Sequence, residues 1–356
     1  MKKTLLHEKH LALDARMGEF GGWDMPIQYA GILAEHLQTR TAASLFDICH
    51  MGEFEISGPT AEADLERLLT CSITSLDVGQ VRYGYLLNEG GGVLDDLTVY
   101  RIASDRFWLV VNAGTAPTDA TWITEHLQQT TGFNDVSDQF AKLDLQGPAA
   151  RSVLQDVYGM SFADLRYFRF QSLEGGWVSR TGYTGELGYE LYVPIDEATT
   201  LWDTCLSHPK CAPAGLGARD TLRLEMGYPL YGHELDAAYS PVDTGDGLFI
   251  DWNKTFMGKA RCEVDQAERS HRVVGLQLSS KRAAREQDRV FYKDQPIGYV
   301  TSGSLAPSLD VAVAMARLDG SCCEIGQMVQ VEIRGRLQEA QVVSLPFYTS
   351  GSARVK

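Results

Sequence analysis

Val329-Gln330-Val331-Glu332-Ile333 alternates apolar and polar residues with the two-residue period of a half-buried strand. Val273-Val274-Gly275-Leu276 is a second short β-branched run, and turn residues separate such runs from about position 272 onward. No long helical pattern intervenes. Short strands without helices between them predict a small all-β barrel or sandwich at the C-terminal end, with a boundary between 255 and 272.

Upstream of that boundary the patterning is mixed. Residues 31–44 carry Ile32, Leu33 and Leu37, with Leu45 just beyond, at roughly helical spacing. Residues 61–70 repeat it with Leu65, Leu68 and Leu69. Leu97-Thr98-Val99-Tyr100-Arg101-Ile102 and Arg106-Phe107-Trp108-Leu109-Val110-Val111 read as adjacent strands joined by a short polar turn. Asp119 to Leu127 returns to helix. Lys142-Leu143-Asp144-Leu145 alternates as a strand, and Gly147-Pro148 then opens a helix running to Tyr158. Trp177 to Val193 reads as strand, glycine-rich turn, strand. Residues 196–207 form an amphipathic helix, and Gly217 to Met226 a further short one.

Length and charge exclude several classes. With 356 residues the chain is too long for one ordinary core. The first ten residues are charged where a signal peptide needs an apolar run, and no stretch approaches the ~18 apolar residues of a membrane span. The seven cysteines are odd in number and form no CxxC pair, so no zinc or redox motif is readable and reduced thiols of a cytoplasmic protein are expected. A formal net charge of −15 argues against nucleic acid, whose binding relies on phosphate neutralisation. A small anionic ligand stays open, because one or two buried arginines can hold it locally.

Three segments carry polar groups suited to chemistry. Gly90-Gly91-Gly92-Val93-Leu94-Asp95-Asp96-Leu97 lies between two strand-like runs; taken alone it reads as a hairpin turn with two solvated aspartates. Ser179 to Glu190 packs three glycines, two tyrosines and two glutamates into twelve residues. It lies between strands rather than before a helix, which speaks against a phosphate cradle. Its tyrosines could cover a planar ring and its carboxylate pair with an aminopyrimidine edge, although taken alone it reads better as an ordinary glycine-rich β-turn with Tyr183 and Tyr189 packed outward. Gly215 to Glu225 puts Arg219, Asp220, Arg223 and Glu225 on one helix, as a salt-bridged face or as an arginine kept for a ligand. His50 reads as a core or supporting residue, and neither it nor His233 shows metal-ligand spacing.

Read together, these blocks resemble the T-protein family of the glycine cleavage system over essentially the whole chain. Gly22-Trp23-Asp24-Met25-Pro26 with Tyr29, and Phe46-Asp47-Ile48-Cys49-His50-Met51, are similar to two N-terminal blocks of that family. GGVLDDLTVY at 91–100, VVNA at 110–113, QGP at 146–148, SRTGYTGELGYE at 179–190 and GLGARDTLRLE at 215–225 follow in the family's order. So do TSG at 301–303 and PFY at 346–348.

The resemblance implies an α+β fold: two intertwined mixed domains with antiparallel sheets and a C-terminal β-barrel, around a central folate cavity. The implied division is a body over 1–260, built of 1–50 with 139–235 and of 51–138, and a barrel over 261–356. It implies an aminomethyltransferase acting on the lipoylated H-protein, with tetrahydrofolate as acceptor, 5,10-methylenetetrahydrofolate and ammonia as products, and no metal. By position, Asp96 matches the essential aspartate, and Asp95 is assigned to supporting the turn. Glu190 and Arg219 match residues holding the polar parts of the folate, and Tyr183 a folate-contacting tyrosine. Asn112, Met51 and Tyr100 match positions lining the pterin cavity.

The chain departs from the family pattern at Cys49, where serine is usual, at 243–248, at Ala284-Arg285-Glu286 and at 306–310. One other reading stays open on sequence grounds: a folate-dependent methyltransferase or demethylase of the same fold acting on a free small molecule. A non-catalytic folate-binding protein of iron–sulfur cluster assembly is argued against, because its K-G-C-x-x-G-Q block is absent at Asn253 to Lys259.

Overall fold

The computed structural model describes residues 1–245 and 247–354; Asp246, within the divergent 243–248 segment, lies outside the described residues. A three-stranded N-terminal sheet joins Lys2–Lys3, Trp23–Gln28 and Arg16–Phe20. Two larger antiparallel-rich sheets follow, interleaved along the chain. The first has six strands in the order Phe170–Leu173, Gly176–Ser179, Gly188–Pro194, Phe140–Gln146, Ala43–Asp47 and Cys211–Pro213. The second has five, in the order Val81–Leu87, Val93–Ala103, Arg106–Val111, Gly52–Ser57 and Gly132–Asp135. Each has its own apolar core. Leu143, Leu145, Tyr189, Leu191 and Trp202 centre one, and Phe54, Leu65, Val99, Phe107 and Leu109 the other.

The C-terminal strands close into a six-stranded barrel between His271 and Val343. Val329, Val331 and Ile333 point inward with Val300, Leu318 and Val342, as the alternation at 329–333 requires. Ala312, Ala314 and Ala316 occupy inward positions of one strand. Their small side chains suit an interior too narrow for large residues from every strand.

One element departs from its sequence pattern. The helix predicted over 31–44 spans Ile32–Thr41, and Leu45 belongs to the strand Ala43–Asp47. Leu33 and Leu37 are exposed, while Glu35, His36 and Thr39 are buried. The buried face is polar because its partners are polar. Glu35 accepts N–H bonds from Tyr29, Gly31 and Gly215, at 2.6, 2.9 and 2.8 Å. His36 bridges Thr221 and Ser308, and Arg40 pairs with Glu186 and Glu225. This helix is therefore the polar joint between the body, the helix Leu216–Glu225 and the barrel, where hydrogen-bond satisfaction replaces apolar burial. The divergent 306–310 segment sits at this joint through Ser308, whose N–H also donates to Glu225 at 2.8 Å.

No helix among the described residues is long and apolar enough to cross a membrane.

Candidate active site

Asp95 and Asp96 lie inside the strand Val93–Ala103, not in a turn, so consecutive side chains point to opposite faces. Asp95 is fully buried. Its carboxylate accepts two N–H bonds from Asn112, one from the side chain at 2.8 Å and one from the backbone at 2.9 Å. That corrects both the solvated-turn reading and the turn-supporting role for Asp95: it anchors Asn112. Asp96 faces a cavity of about 510 Å³. Its Oδ1 accepts from the Asn112 side chain and its Oδ2 from the Tyr83 hydroxyl, each at 3.0 Å. Burial, aided by the neighbouring Asp95 charge, pushes Asp96 up to about 7, although Tyr83 and Asn112 oppose the rise.

The turn itself lies just upstream, and its glycines serve a close approach. A Cβ on Gly92 would stand 1.9 Å from the Ala237 carbonyl oxygen. Only glycine lets the segment carrying Leu230, Tyr231 and His233 cross the hairpin here, and those three residues form part of the cavity wall.

A second group of polar residues faces Asp96 from the six-stranded sheet. Glu190 stands opposite Asp144 in register. Its carboxylate lies 3.6 Å from the Lys142 ammonium and accepts from Thr181 at 2.5 Å and from Tyr100 at 3.3 Å. Burial alone would raise its pKa; Lys142, Thr181, Arg219 and Tyr100 outweigh burial and hold Glu190 below the usual glutamate range. Asp144 behaves oppositely. Burial lifts it to about 6 despite the Arg219 charge.

Arg219 reaches from the helix Leu216–Glu225 to ion-pair with Asp144, and its guanidinium lies 5.0 Å from the Tyr183 ring centroid. Tyr183 is fixed in turn by donating its hydroxyl to the Pro229 carbonyl and by stacking on Tyr228. The same helix anchors to the barrel through Arg223, which donates to Asp220, Glu234 and Ser302. The salt-bridged helix face thus exists only in part: Arg223 pairs along the helix with Asp220, whereas Arg219 and Glu225 pair away from it.

The 179–190 loop is wound around the Gln146 side chain, which donates to Asp144 at 2.5 Å and to the Thr181 carbonyl at 3.1 Å and accepts from Thr184 at 2.6 Å. A Cβ on Gly188 would stand 2.0 Å from that amide. The glycine spacing is therefore set by a buried glutamine rather than by a phosphate.

Asp96, Glu190, Arg219, Tyr183, Asn112 and Met51 all line the one cavity. Tyr100 does not. Asp96, Thr98 and Tyr100 share a strand face, but Tyr100 lies past the point where the two sheets meet. There it is fully buried beside Trp108, Trp177 and Tyr192, and its hydroxyl supports Glu190 from behind. Tyr83 and Lys142, which the sequence reading passed over, are on the wall. His50 is there too, its pKa lowered to about 4 by burial, hence a neutral imidazole at neutral pH. Arg285 and Glu286, from the divergent 284–286 segment, form part of the wall with Thr301 to Gly303 of the barrel. Among the described residues no group of three or more His, Cys, Asp or Glu is placed to hold a metal.

Chemically the cavity offers apolar and aromatic walls, the ionised carboxylate of Glu190 facing the guanidinium of Arg219, and at Asp96 a carboxyl that titrates near neutrality. This is the make-up of a site for a flat polar heterocycle undergoing proton transfer.

Residues 6–254 match the family described as GCVT N-terminal domain, and residues 271–349 the glycine cleavage T-protein C-terminal barrel domain. The chain is 42% identical to an aminomethyltransferase of Synechococcus elongatus, covering 98% of this chain and 96% of that one. It is 40% identical to an aminomethyltransferase of Geobacillus thermodenitrificans, with 98% of each covered. The crystal structure of glycine cleavage system aminomethyltransferase T from Bartonella henselae superposes with a TM-score of 0.94 at 35% identity, covering 99% of both chains.

Proposed function

The chain belongs to the glycine cleavage T-protein family, and from that premise we propose that it transfers the one-carbon unit of an aminomethyl group, borne on the lipoyl arm of the H-protein, to tetrahydrofolate. Ammonia leaves, the arm is released as its dithiol, and 5,10-methylenetetrahydrofolate is the second product. The single observation that carries this reading is the placement of Asp96, with a pKa near 7, across one cavity from ionised Glu190 and from Arg219.

The residues present suit a folate. Glu190 can take two N–H bonds from an aminopyrimidine edge, and its ionised state, held by Lys142, keeps it an acceptor only. Met51, Leu97 and Val110 provide apolar wall, and Tyr183 an aromatic face steadied by Arg219. Tetrahydrofolate supplies the two nitrogens, N5 and N10, that receive the carbon.

In this reading Asp96 is the catalytic residue. As a carboxylate it stabilises positive charge that develops beside it, and it takes up the proton released when nitrogen bonds to carbon. Its pKa near 7 lets it hold that proton and return it within one turnover. Tyr83 and Asn112 keep its two oxygens aimed into the cavity. Arg219, already paired with Asp144, adds a positive field on the Glu190 side.

The test is to mix the purified protein with tetrahydrofolate and the aminomethyl-lipoyl H-protein of the same cell, and to measure ammonia and methylenetetrahydrofolate. The reading requires stoichiometric formation of both. Tight folate binding without product assigns the site to a different one-carbon donor, and no folate binding overturns the reading.

A further inference from the structure

Behind Asp96, on the opposite face of its strand, lies a second pair of carboxyls that the reaction as described leaves unused. Asp95 and Asp119 are 0% and 1% exposed. Asp119 sits in the first turn of the helix Ala116–His126, and its side chain is within hydrogen-bonding reach of Asp95. Both Asp95 oxygens are already engaged by the two N–H groups of Asn112. Asp119 Oδ2 has no donor of its own and is sealed from solvent. Two carboxylates this close cannot both stay ionised in a buried site, and an unpartnered buried oxygen is costly. One proton resolves both difficulties if it resides on Asp119 and is donated to Asp95.

We infer that Asp95 and Asp119 hold one proton between them, and that this singly charged pair is the positioning unit that locks Asn112 and through it aims Asp96. The second half of the inference rests on the role proposed for Asp96; the shared proton does not. Asn112 is held at its backbone N–H, its backbone carbonyl and its side-chain NH2 group. Its two kinds of N–H go to Asp95 and Asp96, and its carbonyl accepts from Thr115 and Ala116, at the start of the helix that carries Asp119. Strand, loop and helix are thereby joined in one ring of hydrogen bonds.

The groups facing the pair are Asp96 from its own strand, Asn112 and Thr115 from the following loop, and the Tyr231 phenol from the segment crossing the hairpin. Asp236 adds its charge at Tyr231. Burial raises both members of the pair, and their contact raises Asp95 further while holding Asp119 back to about 7, so the two titrate as a unit. The negative charge left on the pair is in turn part of what lifts Asp96.

Two variants separate this from a merely structural role. Asp119→Asn keeps the donor and the charge count, whereas Asp119→Leu removes both and leaves Asp95 to carry the proton itself. The infrared difference spectrum of wild type minus Asp119→Asn at pH 8 should contain the carbonyl band of a protonated carboxyl. Glu53, whose carboxyl burial also pushes up, is replaced by Gln in both samples. In the pH profile of turnover, Asp119→Asn should leave the acidic limb in place. Asp119→Leu should shift it down by about one unit, as a buried like charge is lost behind Asp96. Loss of only ionised-carboxylate bands in Asp119→Asn overturns the shared proton. An unmoved limb in Asp119→Leu, with circular dichroism showing the variant folded, overturns the link to Asp96. If the band is lost as expected but wild type has no acidic limb near pH 7, the pair stands and the role given to Asp96 falls.

Discussion

The Tyr83 hydroxyl donates to Asp96 Oδ2 at 3.0 Å, across the paired strands Val81–Leu87 and Val93–Ala103. With Asn112 it supplies one of the donors that oppose the upward push of burial on Asp96. Tyr83→Phe removes this donor while keeping the ring, which packs edge-on against Tyr85 and Phe249. The fold should hold. The acidic limb of turnover should move to higher pH by up to about one unit, the worth of one hydrogen bond to a charged group. A pH–rate profile of the variant checks this, and a limb at or below the wild-type position would remove Tyr83 from the site's electrostatics.

Asp96→Asn should separate binding from chemistry. The isostere keeps the cavity shape, so folate affinity should stay within about tenfold, whereas turnover should fall much further through loss of a transition-state charge. Equilibrium folate titration beside single-turnover kinetics measures both quantities, and equal losses in the two would refute the assignment.

The same substitution should stabilise the protein in a defined pH window. The folded pKa of Asp96 is raised from 3.8 to about 7, so the folded state binds the proton more tightly than the unfolded one. Stability from this group is greatest below the unfolded value and is lost as pH rises through 7. Asn cannot titrate. Asp96→Asn should therefore melt higher than wild type at pH 8, with the difference vanishing as pH falls towards 4. Thermal unfolding across that range is the measurement; a variant that melts lower at pH 8 would mean that the carboxylate is not strained by its burial.

Glu190→Gln should act mainly on affinity. The amide loses the charge that Lys142, Thr181 and Tyr100 hold in place, and it leaves the Lys142 ammonium buried without its partner. Folate binding should weaken by roughly ten- to a hundredfold, the worth of a charged hydrogen bond. Calorimetric titration at neutral pH tests it, and an unchanged dissociation constant would place the folate elsewhere.

Gly92→Ala should damage the cavity from outside it. Its Cβ would meet the Ala237 carbonyl at 1.9 Å, so the segment bearing Tyr231 and His233 must move. Overpacking of this kind costs about 1–3 kcal/mol or more. A lowered melting temperature together with weakened folate binding is expected, and a variant that matches wild type in both would show that the crossing segment has room to yield.

Much of the architecture was legible before any coordinates, because it depends on local pattern. The strand alternation at 329–333 and the adjacent strands at 97–111 each reflect apolar side chains that must face a core, and that demand repeats with the period of the element. The motif blocks likewise brought Asp96, Glu190, Arg219, Tyr183, Asn112 and Met51 to attention, and all six line one cavity.

What pattern could not reveal was polar burial. Leu33 and Leu37 imply the wrong buried face for the helix Ile32–Thr41, because Glu35, His36 and Arg40 each have a partner more than a hundred residues away. The alternation of Lys142-Leu143-Asp144-Leu145 looks like a strand with a solvated side, yet its charged face lies under the cavity, where Lys142 pairs with Glu190 and Asp144 with Arg219. Tyr100 shares a strand face with Asp96 and still falls behind the wall, since only the meeting of the two sheets sets where that face stops being cavity. By itself, then, the sequence determined most of the elements, the family and six of the residues that line the cavity. The tertiary structure alone decided which carboxyls are ionised, because that turns on distant partners and on exclusion of water, neither of which leaves a period in the chain.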